Sequence, residues 1–137
     1  IEEFCTERWL LTHGTAEDVA RYRARRERRA YFGALIASQQ ARLRRVYSTD
    51  LPPEQMRLEK QLALVALQSD YAALKERWGG VSEYDTWFAQ PLNNATLAAV
   101  ATYTRWVPTL RSQIERLGLQ GFYAETAELA KLSRKER

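Results

Sequence analysis

The chain has 137 residues, with 21 Lys and Arg against 17 Asp and Glu for a net charge of +4, 45% hydrophobic residues, 6 glycines, 4 prolines and a single cysteine. These values exclude a collagen-like or low-complexity chain and an internal disulfide, and no run approaches the roughly 20 apolar residues of a membrane-spanning helix. What they allow is one helix-rich domain by the length prior, large enough to bury about two-thirds of its unfolded surface.

Glu2 to His13 reads as the end of a helix with Phe4, Trp9 and Leu10 as its apolar positions. Gly14 suits a left-handed C′ residue at its end. His13 stands in the last turn, where an imidazolium meets the carbonyl end of the helix favourably. Thr15, with Asp18 three residues on, has the spacing of a capping box that opens the next helix.

That helix runs from Ala16 to about Ser48 along a stripe of Val19, Tyr22, Phe32, Leu35, Ile36, Gln39, Leu43, Val46 and Tyr47. At 1.5 Å per residue it reaches roughly 50 Å, which predicts a bend, a break near Gly33, or support from elements outside the chain. Between positions 21 and 45, nine arginines (21, 23, 25, 26, 28, 29, 42, 44 and 45) face one acid, Glu27. Two readings stay open for this stripe. It is either a solvated face whose stems cover apolar surface and whose charges pair with acids elsewhere, or a surface for nucleic acid, anionic lipid or an acidic partner.

Asp50-Leu51-Pro52-Pro53 is a turn leading into a proline-led helix over Glu54 to Trp78, closed by Gly79-Gly80. Met56, Leu58, Leu62, Leu64, Val65, Leu67, Tyr71, Leu74 and Trp78 cover more than one of its faces. The pattern therefore predicts a helix buried between neighbours and paired with the preceding one as a long hairpin. Gly79 to Asn94 follows as a loop with one helical turn around Tyr84 to Phe88. Pro91 ends that turn, Asn93 and Asn94 are N-cap residues, and a helix starts near Ala95. Pro108 kinks or restarts it. Leu110, Ile114 and Leu117 then lead to Gly118, Phe122, Thr126, Leu129 and Leu132 mark a last short helix, and Ser133 to Arg137 is a polar, frayed tail.

The order of the aromatic loop, Leu92-Asn93-Asn94-Ala95, a small apolar helix, Thr102-Tyr103 and Trp106-Val107-Pro108 resembles the C-terminal part of the bacterial Putative aminopeptidase family. Arg8-Trp9-Leu10, Ala20-Arg21-Tyr22, the Asp50 to Pro53 break, Asp70-Tyr71-Ala72-Ala73-Leu74-Lys75 with Trp78-Gly79-Gly80, and Phe122-Tyr123 agree in order and spacing, so the likeness spans nearly the whole chain. The resemblance implies an all-α fold. It also implies a zinc-dependent peptidase on the periplasmic side of the envelope, made as a lipoprotein, with peptide as substrate.

One element of that family pattern does not occur here. Its zinc motif, His-Glu-x-x-His on one helical face with a later glutamate, lies upstream of the matching stretch. His13 alone cannot make a two-histidine site, and Cys5 does not complete one. The expectation is therefore a C-terminal helical fragment of a larger metallopeptidase, or a single helical domain over residues 1–137, that binds no zinc by itself and is inactive alone. The remainder of the same polypeptide would supply the metal, and any membrane contact would come from an anchor outside this chain.

Within that reading Asn93 and Asn94 are substrate-binding candidates, because a carboxamide both donates and accepts as an extended peptide requires. Trp87, with Phe88 and Tyr84, would shape a side-chain pocket. Tyr103 is the catalytic candidate, an oxyanion donor whose phenol keeps its proton at neutral pH. Glu2 and Glu3 are carboxylates for a free amine. Each has a purely structural reading: helix caps for the amides, core for the aromatics, helix surface for the glutamates. A second function class is a non-enzymatic helical module that binds through its arginine-rich face, for which nucleic acid is the less favoured partner.

Overall fold

A computed structural model describes residues 1–132, apart from the Tyr103 side chain. The expected polar tail, Ser133 to Arg137, lies outside the described residues. The fold is all-α, with helices α1 (Glu2–His13), α2 (Ala16–Tyr47), α3 (Pro53–Arg77), α4 (Asp85–Phe88), α5 (Asn94–Thr104) and α6 (Val107–Lys131), and no strand among the described residues. Two compact units divide the chain, one formed by Ile1–Tyr22 with Arg105–Arg137 and the other by Arg23–Thr104.

In the first unit α1 ends as expected at Gly14, but for a different reason. Gly14 has φ −96° and ψ 171°, which is extended rather than left-handed backbone. Its amide donates to the Leu10 carbonyl at 2.8 Å, and a Cβ built on it would lie 2.8 Å from that same oxygen. Glycine is needed there for space. The chain then enters α2 through the anticipated capping box, in which the Asp18 amide donates to Thr15 Oγ1 at 3.1 Å and the Thr15 amide to Asp18 Oδ2 at 2.9 Å. Those bonds from Thr15, together with Arg21, lower the Asp18 carboxyl to about 2. His13 sits in the last turn as expected, its Nδ1 3.1 Å from the Trp9 carbonyl and its ring stacked on Trp9.

Glu3 accepts from Arg111 Nη2 at 2.8 Å, and the Tyr22 hydroxyl donates to the Glu3 carbonyl at 2.9 Å, so α1, α2 and α6 are linked through one residue. Ile114 and Phe122 of α6 are the buried apolar residues here. Between them Gly118 takes φ 67° and ψ 170°, outside helical space, so α6 consists of two helical pieces. The restart before Pro108 and the stop at Gly118 both agree with the sequence.

In the second unit the hairpin is present, and its core is Phe32, Ile36 and Leu43 of α2 with Ala63, Leu67 and Tyr71 of α3, closed by Phe88 and Leu97. Of the three alternatives for its length, the break near Gly33 does not occur, and α2 is continuous there. A Cβ there would meet Thr104 at 3.6 Å, ordinary contact distance. Position 33 thus carries the helix penalty of glycine without a crowding that requires it. Replacing it, Gly33→Ala, should raise stability by about 0.5–1 kcal/mol, read as a higher thermal midpoint; a lower midpoint would show that α2 and α5 approach too closely for a methyl.

A second correction concerns α3. Ala63, Leu67 and Tyr71 are buried, whereas Leu58, Leu62 and Val65 are 55%, 48% and 62% exposed. The helix is covered on one side only. Its apolar excess reflects two distinct faces, one in the core and one facing out, rather than burial all round.

Candidate functional site

Asn93 caps α5, its Oδ1 accepting the Ala95 and Thr96 amides at 2.9 and 3.1 Å while its own amide donates to Thr96 Oγ1 at 3.0 Å. This reciprocal arrangement satisfies donors that a helix start otherwise leaves orphaned. Its carboxamide oxygen is thereby committed to the fold. Asn94 is the first helical residue, is exposed, and donates from Nδ2 to the Tyr47 hydroxyl at 3.0 Å. Its carboxamide oxygen takes no hydrogen bond from the described residues. One turn further on, Gln40 Nε2 donates to the Leu97 carbonyl at 2.9 Å, so the end of α2 and the start of α5 are tied by two amides and a phenol.

The aromatic loop residues turn towards the hairpin. Phe88 is buried and stacks on Tyr71 at 3.9 Å and 7°, and Tyr84 stacks on Phe32 at 4.1 Å and 8°. Trp87, half-buried, meets Phe32 edge-on at 5.2 Å and Phe88 at 4.8 Å. The rings fill core before they offer any wall to solvent, and desolvation raises the Tyr84 hydroxyl above its usual range. Tyr103 belongs to α5, nine residues after Asn94 and roughly 14 Å further along the axis, and its side chain lies outside the described residues. The structure therefore brings Asn93 and Asn94 together at one helix start and sets Tyr103 apart from them. Of the amine candidates, Glu3 is engaged by Arg111, and Glu2 is exposed in the first turn of α1.

Sequence reasoning missed a second polar arrangement. Between α3 and α4 lies a depression of about 390 Å³ lined by Gln68, Tyr71, Ala72, Lys75, Asp85, Phe88 and Ala89. The Tyr71 hydroxyl donates to Asp85 Oδ1 at 2.6 Å, and Lys75 Nζ bonds Asp85 Oδ2. Bonds from Lys75 and then Tyr71 lower the Asp85 carboxyl, and burial, with Asp85 next to it, pushes Tyr71 up to about 12. At neutral pH the phenol is therefore a fixed donor and the carboxylate a fixed acceptor. The trio fastens the α4 loop to α3. The only signal in the sequence is a Tyr71 that needs a hydroxyl partner and an acid at a short helix start.

The arginine stripe finds an acid from far along the chain. Glu83 accepts from Arg25 Nε at 3.0 Å and from Arg28 Nε at 2.9 Å, while Arg21 pairs with Asp18. Forked pairing of this kind holds the loop before α4 against α2.

The donor chemistry of the described residues does not fit the zinc that the resemblance implies. The single imidazole, His13, spends Nδ1 on a backbone carbonyl; Cys5 is exposed; and no group of three or more His, Cys, Asp or Glu among the described residues could hold a metal ion. These helices define an all-α protein with no metal-donor cluster among its described residues. The family model described as Putative aminopeptidase matches residues 1–137, and the chain belongs to that family. No curated protein and no solved structure matches it.

Proposed function

We propose that this chain is the peptide-holding helical portion of a zinc-dependent aminopeptidase of its family, that the zinc is held by residues outside these 137, and that the chain does not hydrolyse peptides alone. The observation that supports this reading is the exposed Asn94, its carboxamide held from one side by Tyr47 and its oxygen bonded by none of the described residues. A carboxamide fixed in this way offers a peptide N–H an acceptor at a set position, and its neighbour Asn93 keeps the helix start rigid. Tyr103 is the oxyanion donor in this reading, and Trp87 lines the side-chain subsite. The periplasmic side of the envelope is the location this reading carries with it.

Asn94→Ala, made in the full-length peptidase, should raise KM for a short peptide about three- to ten-fold with kcat changed less than about two-fold, the size of one neutral hydrogen bond. Asn93→Ala instead removes a cap, and should lower stability by about 1 kcal/mol. An unchanged KM in the Asn94 variant, with the fold intact, would remove Asn94 from substrate binding.

A further inference from the structure

The depression between α3 and α4 is not used by the reading above. Gln68, Tyr71, Ala72 and Lys75 stand three and four apart and line it from one face of α3, and Asp85, Phe88 and Ala89 line it from α4 with the same spacing. The buried, stacked rings of Tyr71 and Phe88 form its base, and Ala72 and Ala89, both exposed, form its sides. From Gln68 to Lys75 it extends roughly 10 Å along the helix. Lys75 and Asp85 are the only charges in its lining. Asp70 and Glu76 are each next in sequence to a lining residue of α3, about 100° round the helix from it, and neither lines the depression. Glu83, before α4, is taken by Arg25 and Arg28.

The ion pair keeps bonding capacity to spare. Lys75 Nζ donates to Asp85 Oδ2 and the Tyr71 hydroxyl to Oδ1, so Lys75 has used one of its three donors and each carboxylate oxygen keeps a lone pair. The Lys75 and Asp85 side chains are 32% and 43% exposed, so a solute reaches both. Opposite charges side by side select what binds. A lone carboxylate drawn to Lys75 is repelled by Asp85, and a lone amine drawn to Asp85 is repelled by Lys75. An ammonium and a carboxylate carried on one carbon meet the opposite charge at both positions. In a peptide those two charges are set apart by about 3.8 Å or more for each added residue, so a single amino acid fits the pair and a longer chain does not. The uncharged remainder, Ala72, Ala89 and the two rings, suits a hydrocarbon side chain. We propose that this depression binds a free α-amino acid with an aliphatic side chain, its ammonium on Asp85 and its carboxylate on Lys75. The proposal does not rest on the role given to Asn94.

The test is an amide NMR titration of the isotope-labelled 137-residue chain at constant ionic strength. Its probes are L-leucine, isocaproate, which lacks the amine, and isoamylamine, which lacks the carboxylate. L-leucine should shift the amides of Ala72, Lys75 and Ala89 saturably, half complete at about 1 mM, and each analogue should bind at least about ten-fold more weakly. Lys75→Met should weaken leucine binding by at least about ten-fold. Ala72→Trp fills the depression from an exposed helix position and leaves both bonds to Asp85 in place, so it should abolish the shifts while the melting curve stays where it was. This second variant keeps the test decisive if Lys75→Met loosens the segment around α4. Shifts that stay linear up to about 20 mM, equal binding of leucine and either analogue, or leucine binding that survives Ala72→Trp would overturn the proposal.

Discussion

Phe88→Ala should unfold the second unit at markedly lower temperature and denaturant, with a loss of about 3–5 kcal/mol. The ring is 8% exposed and lies between Tyr71, stacked at 3.9 Å, and the edges of Phe32 and Trp87. A four-residue helix such as α4 has no stability of its own, since one turn costs more chain entropy than its hydrogen bonds return. What holds the segment is burial of Phe88, with the Asp85 bonds to Tyr71 and Lys75 as the smaller part, because Lys75 and Asp85 are both reached by water. Removing the ring leaves a cavity and frees the loop together. Against a total of about 5–15 kcal/mol for a domain, this is a large fraction. Phe88→Leu keeps most of the volume and should cost about 1–1.5 kcal/mol. Equal melting of the alanine variant and the parent would mean that the aromatic cluster is not what closes the core.

How far this fold is readable depends on the sequence distance of the interactions that make it. Helix ends were legible because their signals are local: Thr15 with Asp18, Pro52-Pro53, Gly79-Gly80, Asn93, Pro108 and Gly118 each act within four residues. The conformation of Gly14 was not, since a capping glycine serves by left-handed backbone or by lack of a Cβ, and sequence does not separate the two. Gly33 misled in the opposite direction. Length alone suggested a bend, a break near Gly33 or outside support, and the structure shows an unbroken helix there whose neighbour at position 33, Thr104, comes from 71 positions away.

The site was less legible for the same reason. Glu83 meets Arg25 and Arg28 across 58 and 55 positions, and Asn94 meets Tyr47 across 47. Periodicity gives the face of a helix but not the element that will cover it. For that reason α3 read as buried all round when one side is open, and the arginine stripe could be read as pairing with acids elsewhere without the sequence naming Glu83, which takes two of its members. Asn93 was legible as a cap because capping is local, whereas Asn94, also expected as a cap, is the first helical residue and bonds Tyr47 instead.

Gly118→Ala tests the opposite extreme, a position where backbone alone decides. Gly118 has φ 67° and ψ 170°, a region that an L side chain enters at a cost of order 1–3 kcal/mol, and no atom lies within 4 Å of a Cβ built there. The penalty is therefore conformational and not steric crowding by neighbours. Alanine escapes it only by turning helical, which would carry Phe122 away from its place relative to Ile114, the two buried residues of α6. Either route lowers the stability of the unit containing α6, by about 1–3 kcal/mol in the thermal midpoint and unfolding curve. D-alanine at the same position, introduced by semisynthesis, separates the causes. The mirror image of this conformation is ordinary polyproline-like backbone, so D-alanine should restore stability to the glycine level or above it by narrowing the unfolded ensemble. Equal losses for L- and D-alanine would show that position 118 needs empty space, and would sink the conformational account of the break in α6.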